Sequence, residues 1–400
     1  MKVLFLCGYF ESKYQKEILE KTKTVVENAA NTFQQRLISG FKSQASDLTI
    51  VSAPFLGAWP TAYRDKRFKA FLNGYSEENI QYVPFNNIWG YRNISRAQAM
   101  KRKVKEFVQN EKNEEKAIIV YSAHTPFLEA AVYGKSMDPS IHIHLIVPDL
   151  PQYMNLSSKK SRLYTFFKKI DMLKMCTLLT QVDSFTLLTD HMAEKLQVGS
   201  RPYIVVEGIT DKRKFQLIEK KACKKRVAYA GRLVESYGVK NLIQAFELIT
   251  DPEASLHICG GGELRSYVEE MCKKDARIHY YGIVSAERAT EILQDADVLV
   301  NPRKNDDEYT KYSFPSKIIE YLMTGNEVVA YMLDGMPREY KDFLHIPKSQ
   351  TNQSLAEEMI KAWEMPKESK KALDYLIMQR NPVAVTQKIL DMCNNKKAVR

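Results

Sequence analysis

Three groups of residues in the second half of this sequence have the types and spacing to bind an anionic, hydroxyl-rich molecule. The first lies in KYSFPSKIIEYLMTG, residues 311–325. Pro315 suits the first turn of a helix, where its missing N–H is not needed, and Gly325 suits the position just past the helix end. Ile318, Ile319 and Leu322 form an apolar stripe, so Lys317 and Glu320 share a more polar face. A helix opened by Ser313, Phe314, Pro315 and Ser316 offers unpaired amides and a partial positive charge to a phosphate, and Lys317 adds to it. One turn deeper, the Glu320 carboxylate can accept hydrogen bonds from paired hydroxyls. The plainer alternative is a salt-bridged helix face.

The second group is YAGRL. Gly231 permits a sharp turn, and Arg232 places a permanently charged fork suited to a diphosphate. Its plainer alternative is a surface arginine paired with Glu235. The third is CGGGEL, where Gly260, Gly261 and Gly262 precede Glu263 between a strand and a helix, a place where backbone amides attract anions. Arg265 occupies the third-glycine position of the dinucleotide pattern G-x-G-x-x-G, so that motif is not met and a plain tight turn is the alternative. The phosphate loop G-x-x-x-x-G-K-[ST] is absent.

What must position these residues is a regular alternation of strands and helices from residue 226 onward. RVAYAG, ASLHICG, RIHYYG, DVLVNP and EVVAYM read as strands, with amphipathic helices between them, the pattern of a parallel sheet covered on both faces. The first half repeats the plan less tidily through KVLFLCG, DLTIVSAP, IQYVPF, KAIIVYS, IHIHLIVPD and SFTLLT, with long helices expected near 12–38 and 95–109. Four hundred residues suit two domains better than one core. The expected architecture is α/β, two doubly wound Rossmann-like domains facing a cleft: 1–202, 203–375, and a carboxyl-terminal helix within 376–400 packing back on the first domain. In such sheets ligands bind beyond the carboxyl ends of the strands, where Arg232, the glycine triplet, Arg303 and the 313–316 loop all fall. That convergence favours the binding reading over the plainer ones.

Bulk properties narrow the class. Apolar residues at 44% and charged residues at 27% are those of a globular chain, and no apolar run reaches the roughly 20 residues of a spanning helix. MKVLFLCGYFESKYQKE reads as a first strand, not a signal peptide, so a cytoplasmic location is expected. Six scattered cysteines form no C-x-x-C pair, which argues against a zinc site or a disulfide framework. A net charge of +11 points to an anionic partner: nucleic acid, an anionic membrane, or a phosphorylated substrate. No recognition motif supports nucleic acid.

VAYAGRLVESYGVKNLIQAF, SLHICGGGELRSYVEE, RIHYYGIVSAERATEILQDADVLVNPR and YSFPSKIIEYLMTGNEVV, in that order, resemble the carboxyl-terminal half of a family-4 glycosyltransferase, a retaining enzyme of the GT-B fold. The similarity covers roughly residues 205–345; VPDLP and LLTDHM in the first half are reminiscent of bacterial polysaccharide transferases. The resemblance implies a nucleoside-diphosphate sugar held by the second domain and a polysaccharide or lipid-linked glycan acceptor by the first, with no obligatory metal. By position, Arg232 would stabilise the departing diphosphate, Glu320 matches the second glutamate of E-x7-E and would hold ribose hydroxyls, and the amides of Phe314 to Ser316 would face the donor. Tyr312 stands where the first glutamate belongs and Tyr237 where a lysine partners the arginine; Lys240, Arg303, Lys311 or Lys317 could restore the charge.

In the first half, His124 in YSAHTPF and Asp149 in VPDLP follow strands and are candidates at the reacting sugar; each also reads as a structural loop residue. His142 and His144 share one strand face and read as packing more than as a metal pair. The DAD at 295–297 and NDDE at 305–308 resemble a metal-binding D-x-D and are set aside. NLSSKKSRLYTFFKKIDMLKM carries Lys159, Lys160, Arg162, Lys168, Lys169 and Lys174 against Asp171, with Leu163, Phe166, Phe167 and Ile170 at helical spacing. A basic amphipathic helix of this kind suits an anionic membrane surface or an acceptor-side contact; a solvated helix with its stripe in the core is the alternative. Two rival readings share the fold: a non-catalytic sugar-nucleotide-binding subunit of a glycan assembly complex, favoured by Tyr312 and Tyr237, and a nucleotide-sugar epimerase.

Overall fold

The computed structural model describes residues 1–24, 28–45, 47–71, 79–110, 114–150, 162–210, 223–367 and 369–394. The chain divides into two compact units, Met1–Ile209 with Pro382–Arg400, and Thr210–Asn381.

The first unit runs β1 (Lys2–Cys7), α1 (Gln15–Lys21), α2 (Asn28–Gln44), β2 (Leu48–Ser52), β3 (Arg67–Phe68), β4 (Ile80–Tyr82), β5 (Phe85–Asn86), α3 (Arg92–Asn110), β6 (Lys116–Tyr121), α4 (Thr125–Met137), β7 (His142–Val147), α5 (Arg162–Leu179), β8 (Ser184–Leu187), α6 (Met192–Lys195) and β9 (Tyr203–Val205). Seven strands form a parallel sheet in the order β4-β2-β1-β6-β7-β8-β9, and β3 pairs antiparallel with β5. After an opening lysine in each, the central strands β1 and β6 are apolar runs buried on both faces, as a helix-covered parallel sheet requires.

The second unit contains β10 (Arg226–Ala230), α7 (Val239–Glu247), β11 (Ser255–Cys259), α8 (Arg265–Lys274), β12 (Ile278–Tyr280), α9 (Ala286–Gln294), β13 (Val298–Asn301), α10 (Lys317–Leu322), β14 (Glu327–Ala330), α11 (Asn352–Glu364) and α12 (Ser369–Gln379). Its five strands are parallel in the order β12-β11-β10-β13-β14. The apolar faces of α7 and α11 close a core around Val227, Leu256, Ile258 and Val298. Strand order reverses between β10 and β13 here, and between β1 and β6 in the first unit, which marks the carboxyl ends of those pairs as the ligand-binding positions.

The chain returns to the first unit through α13 (Pro382–Asn394), which lies on α2. Gly40 makes that contact possible, because a Cβ there would stand 2.3 Å from the Pro382 carbonyl. Gln44 Nε2 then donates to Val383 O and Thr386 Oγ1, each at 2.7 Å.

Three sequence expectations need correction. The boundary expected at 202/203 falls later, because β9 pairs in parallel with β8 and keeps residues through 209 in the first unit. The carboxyl-terminal segment of the first unit begins at Pro382, since α12 belongs to the second. The long helix expected over 12–38 is broken: Thr22 is extended, its hydroxyl donates to Ile18 O at 2.6 Å, and its backbone bridges to Tyr63. Apolar side chains on both flanks of Thr22 are buried, Ile18 before it and Leu37 after it.

The paired histidines of β7 pack as the strand alternation implies. The Ser184 hydroxyl lies 2.7 Å from both His142 Nε2 and His144 Nδ1, and His144 Nε2 lies 2.8 Å from Thr186 Oγ1. Burial, with His142 as a lesser cause, pushes His144 down to about 3. An unfolded imidazole protonates near 6.5, so the unfolded chain takes up this proton first as pH falls. The neutral ring's contribution is complete above about pH 6.5 and is lost on descent toward 3. From this one group, stability should fall by about 2 kcal/mol between pH 7 and pH 5. Urea unfolding of the wild type and His144→Gln at both pH values checks it: the variant should lose about that much less on acidification.

Candidate functional site

The second unit's carboxyl edge is built on backbone contacts that exclude side chains. Gly260 has φ +138°, and a Cβ there would stand 1.8 Å from Gly231 O. Gly231 N donates to Cys259 O at 3.0 Å, Leu233 N to Gly261 O at 3.0 Å, and Gly260 N to Gly282 O at 2.8 Å. The loops after β10, β11 and β12 are thereby stitched into one rim. Gly238, at φ +76°, admits Pro302 O to 2.1 Å of where its Cβ would be, which brings the loop after β13 against the amino end of α7.

Two tyrosines set the rim's shape. Tyr229 OH donates to Arg232 O at 2.9 Å, curling over Gly231. Tyr321, fully buried on α10, donates its hydroxyl to Ala230 O at 3.2 Å and accepts from Ala230 N at 3.0 Å. That bond ties the 313–316 loop's helix to the strand that carries Arg232.

On this rim stand two arginines. Arg232 is exposed, and among the described residues its guanidinium has no hydrogen bond or ion pair. Its expected neighbour Glu235 is taken by Lys240 at 2.6 Å and receives no bond from Arg232. Arg303 follows β13, so the two arginines flank the strand-order reversal. Its guanidinium carbon lies 5.7 Å from the ring centres of both Tyr237 and Tyr309 and has no carboxylate partner among the described residues. A cavity of about 460 Å³ opens beside it, lined by Tyr237, Gly238, Asn241, Lys304, Asp306 and Thr310.

The 313–316 loop differs in part from expectation. The helix begins at Lys317, two residues after Pro315, whose carbonyl accepts from Ile318 N at 2.8 Å. At six residues, α10 is too short to supply the summed dipole expected of it. Pro315 has no N–H, but the amides of Phe314 and Ser316 have no partner among the described residues. Ser313 is buried with its hydroxyl unpartnered. Phe314 packs on Tyr340, ring centres 5.2 Å apart. Lys317 and Glu320 do share the polar face, and they are paired with each other at 2.6 Å, both about half exposed. Glu263 accepts from Glu235 N at 3.2 Å, so its carboxylate shapes the rim. Gly262 lies under Leu233 O, and Gly261 under the side chain of Ile283. Ile283, 85% exposed, is an apolar shelf on the rim that sequence patterning does not single out.

In the first unit His124 caps the amino end of α4, beside the β1/β6 reversal. Its ring meets Phe127 at 4.7 Å and Phe55 at 5.5 Å, and Nδ1 is buried without a partner. Burial, then Arg96 and Arg92, hold it well below the ordinary imidazole value, so the ring is neutral near pH 7. Asp149 is exposed just past β7. Lys159 and Lys160 lie outside the described residues, and of Arg162 and Phe166 only the backbone is described; Phe167 and Lys169 are exposed and Lys168 half-buried on α5. The DAD aspartates are structural: Asp295 pairs with Lys224 and Arg226, and Asp297 Oδ2 accepts from the amides of Lys224 and Arg226. A cavity of about 680 Å³ lies at the opposite edge of the first unit's sheet, lined by Lys116, Lys135, Asp138, His142 and Asp183. Its lysines are already paired, Lys116 with Asp138 at 2.9 Å and Lys135 with Asp183 at 2.6 Å.

Residues 210–376 match the family described as glycosyl transferases group 1. Over 116 residues the chain is 28% identical to an uncharacterised glycosyltransferase of Methanocaldococcus jannaschii, MJ1607, covering 28% of each chain. The chain thus spans under a third of the length of that curated relative. Among solved structures, Anabaena Alr3699/HepE in complex with UDP superposes with TM-score 0.60 at 15% identity, covering 98% of this chain and 99% of that one. A glycosyltransferase from Rickettsia africae superposes with TM-score 0.61 at 11% identity, over 98% and 97%. The fold is that of the GT-B glycosyltransferases, two parallel-sheet α/β units.

Gly238→Ala tests the contact that holds Arg303. The left-handed backbone alone should cost about 1–2 kcal/mol, and the added methyl must push Pro302 away. A thermal melt should show that loss, and any stabilisation by nucleotide should fall with it.

Proposed function

We propose that the protein is a glycosyltransferase of hexosyltransferase type that uses a nucleoside-diphosphate sugar and transfers the sugar with retention. The observation that carries this reading is the pair Arg232 and Arg303, two guanidinium groups with no carboxylate partner among the described residues, flanking the strand reversal of the unit that matches the glycosyltransferase family. Two such cations suit a diphosphate, whose charge grows as its bond to the sugar breaks, and fixed charge placed where charge develops is the largest single source of catalysis. Arg303 stacks on Tyr237, the residue standing in place of the usual lysine, and so supplies the missing cation from the neighbouring loop. Lys240 and Lys317 are each neutralised by a glutamate.

The remaining assignments follow the same rim. Free amides at Phe314 and Ser316 and the Ser313 hydroxyl meet the phosphates or sugar, and Ile283 shelves the base. Glu320 accepts the ribose hydroxyls once Lys317 turns away to the phosphates. His124 and Asp149 stand at the acceptor edge of the first unit; a neutral, weakly basic His124 suits a reaction whose main demand is leaving-group stabilisation. The acceptor is a polysaccharide or lipid-linked glycan, with peripheral contact at an anionic membrane and a cytoplasmic location as parts of the same reading.

A second reading is favoured by one observation. Tyr312 stands buried where the resemblance places the first glutamate, so the site lacks that carboxylate, as in a subunit that binds nucleotide sugar without turning it over.

Melting in the presence of UDP, GDP, dTDP, ADP and their sugars tests the site. One nucleotide at about 100 times its dissociation constant should add about 2.7 kcal/mol to the wild type. Arg232→Ala and Arg303→Ala should each weaken it by about 1.5–3 kcal/mol, the worth of a charged hydrogen bond, and Arg303→Lys by less. No shift with any nucleotide sinks the donor-site reading. A shift without sugar transfer or hydrolysis, for any donor and acceptor, favours the binding subunit.

A further inference from the structure

The first unit carries an exposed apolar surface that neither its fold nor a donor site needs. Trp89 and Tyr91, just before α3, and Ile94, in its first turn, are 46%, 42% and 54% exposed. On α5, Phe167, Ile170 and Leu173 recur every three residues along one face and are 51%, 47% and 62% exposed. The sequence treats these as two separate features. In the structure they form one surface, with the Trp89 and Phe167 rings meeting edge to face at 6.4 Å.

The scaffold beneath is fixed. Glu129 of α4 is gripped by Lys101 of α3 and Lys174 of α5, which sets the three helices side by side. Helices α3 and α5 feed β6 and β8 of a parallel sheet, so each starts at the sheet's carboxyl edge, the edge that also carries His124 and Asp149. Exposed indole, phenol and aliphatic groups in one patch are uncommon on a chain that binds nothing there.

We propose that this surface docks on an anionic phospholipid bilayer, with Trp89, Phe167, Ile170 and Leu173 entering the headgroup boundary. Charge selects this occupant. Along Arg162–Leu179 the sequence has Arg162, Lys168 and Lys169, besides the Lys174 that holds Glu129, against the single acid Asp171, and Lys168 and Lys169 sit between the apolar positions. Lysine beside exposed aromatic and aliphatic groups is the composition of an interfacial helix, whereas lysine is depleted from protein–protein interfaces. The placement deepens the transferase reading and rests on it in one respect: a lipid-linked acceptor would present its glycan at the edge that carries His124 and Asp149.

Flotation of the full chain with vesicles tests the proposal, using phosphatidylglycerol mixed with phosphatidylcholine and phosphatidylcholine alone, at low and high salt. The wild type should float with the anionic vesicles at least tenfold more tightly than with the neutral ones, and its tryptophan emission should shift to the blue. Ile170→Ser with Leu173→Ser should reduce binding at least tenfold with the melting temperature unchanged, because both side chains are exposed. Lys168→Ala with Lys169→Ala should reduce binding and flatten its salt dependence. Trp89→Phe should abolish most of the blue shift. The proposal is overturned if the wild type does not bind, if it binds neutral vesicles equally, or if the serine variant binds as the wild type does. It is equally overturned if the wild type is a dimer that the serine variant dissociates while vesicle binding is absent. Nucleotide melting shifts on the same samples separate the two ideas. A shift without flotation sinks the docking surface alone, and flotation without a shift sinks the transferase reading alone.

Discussion

The second unit's carboxyl edge exists because its backbones approach more closely than any side chain allows. Gly260 against the Gly231 carbonyl and Gly238 against the Pro302 carbonyl are contacts at which a Cβ would stand about 2 Å from an oxygen. Remove that closeness and the loops after β10, β11 and β13 separate, taking Arg232 and Arg303 with them. Their cost is the conformational freedom that glycine loses on folding. What offsets it is the stitching of amide to carbonyl across three loops, which leaves little buried backbone unpaired.

On that rim the division between paired and unpaired charge is sharp. Lys240 and Lys317 both hold carboxylates. Among the described residues Arg232 and Arg303 do not, and Arg303 is held by two aromatic faces in place of an acid. A guanidinium stacked on tyrosine keeps its edge donors available, where a salt bridge would consume them. Stacking therefore preorganises the cation without neutralising it, which is what a site for a developing anion requires.

Much of this was legible in the residues. Alternating apolar runs and amphipathic helices gave the parallel sheets, and the types of residue after each strand pointed to the carboxyl edge. Less legible were features that depend on contact across distance. Arg303 is brought to the rim by a Gly238–Pro302 approach between residues sixty-four positions apart in number, and no local pattern encodes it. Tyr321 reads as one more apolar residue of a helix stripe, yet its hydroxyl clasps both backbone groups of Ala230. The break at Thr22 was hidden because its helical spacing is good, and a side-chain bond to Ile18 with a bridge to Tyr63 overrides that propensity. The boundary after residue 209 was misplaced because β9 is three residues long and its membership depends only on which strand it joins.

The two units' edges are chemically unlike. The second unit's rim gathers fixed positive charge and unpaired amides. In the first unit the histidine at the strand reversal is kept neutral by burial and by Arg96 and Arg92, beside two phenylalanine rings. A strong general base there would need the opposite environment, a carboxylate partner raising the imidazole value. On the proposed transferase reading, where the base is weak and the cations are strong, the barrier would be lowered chiefly on the leaving-group side, by stabilising a departing diphosphate. On that reading, the electrostatics of each unit, taken alone, favour the same half of the bond change.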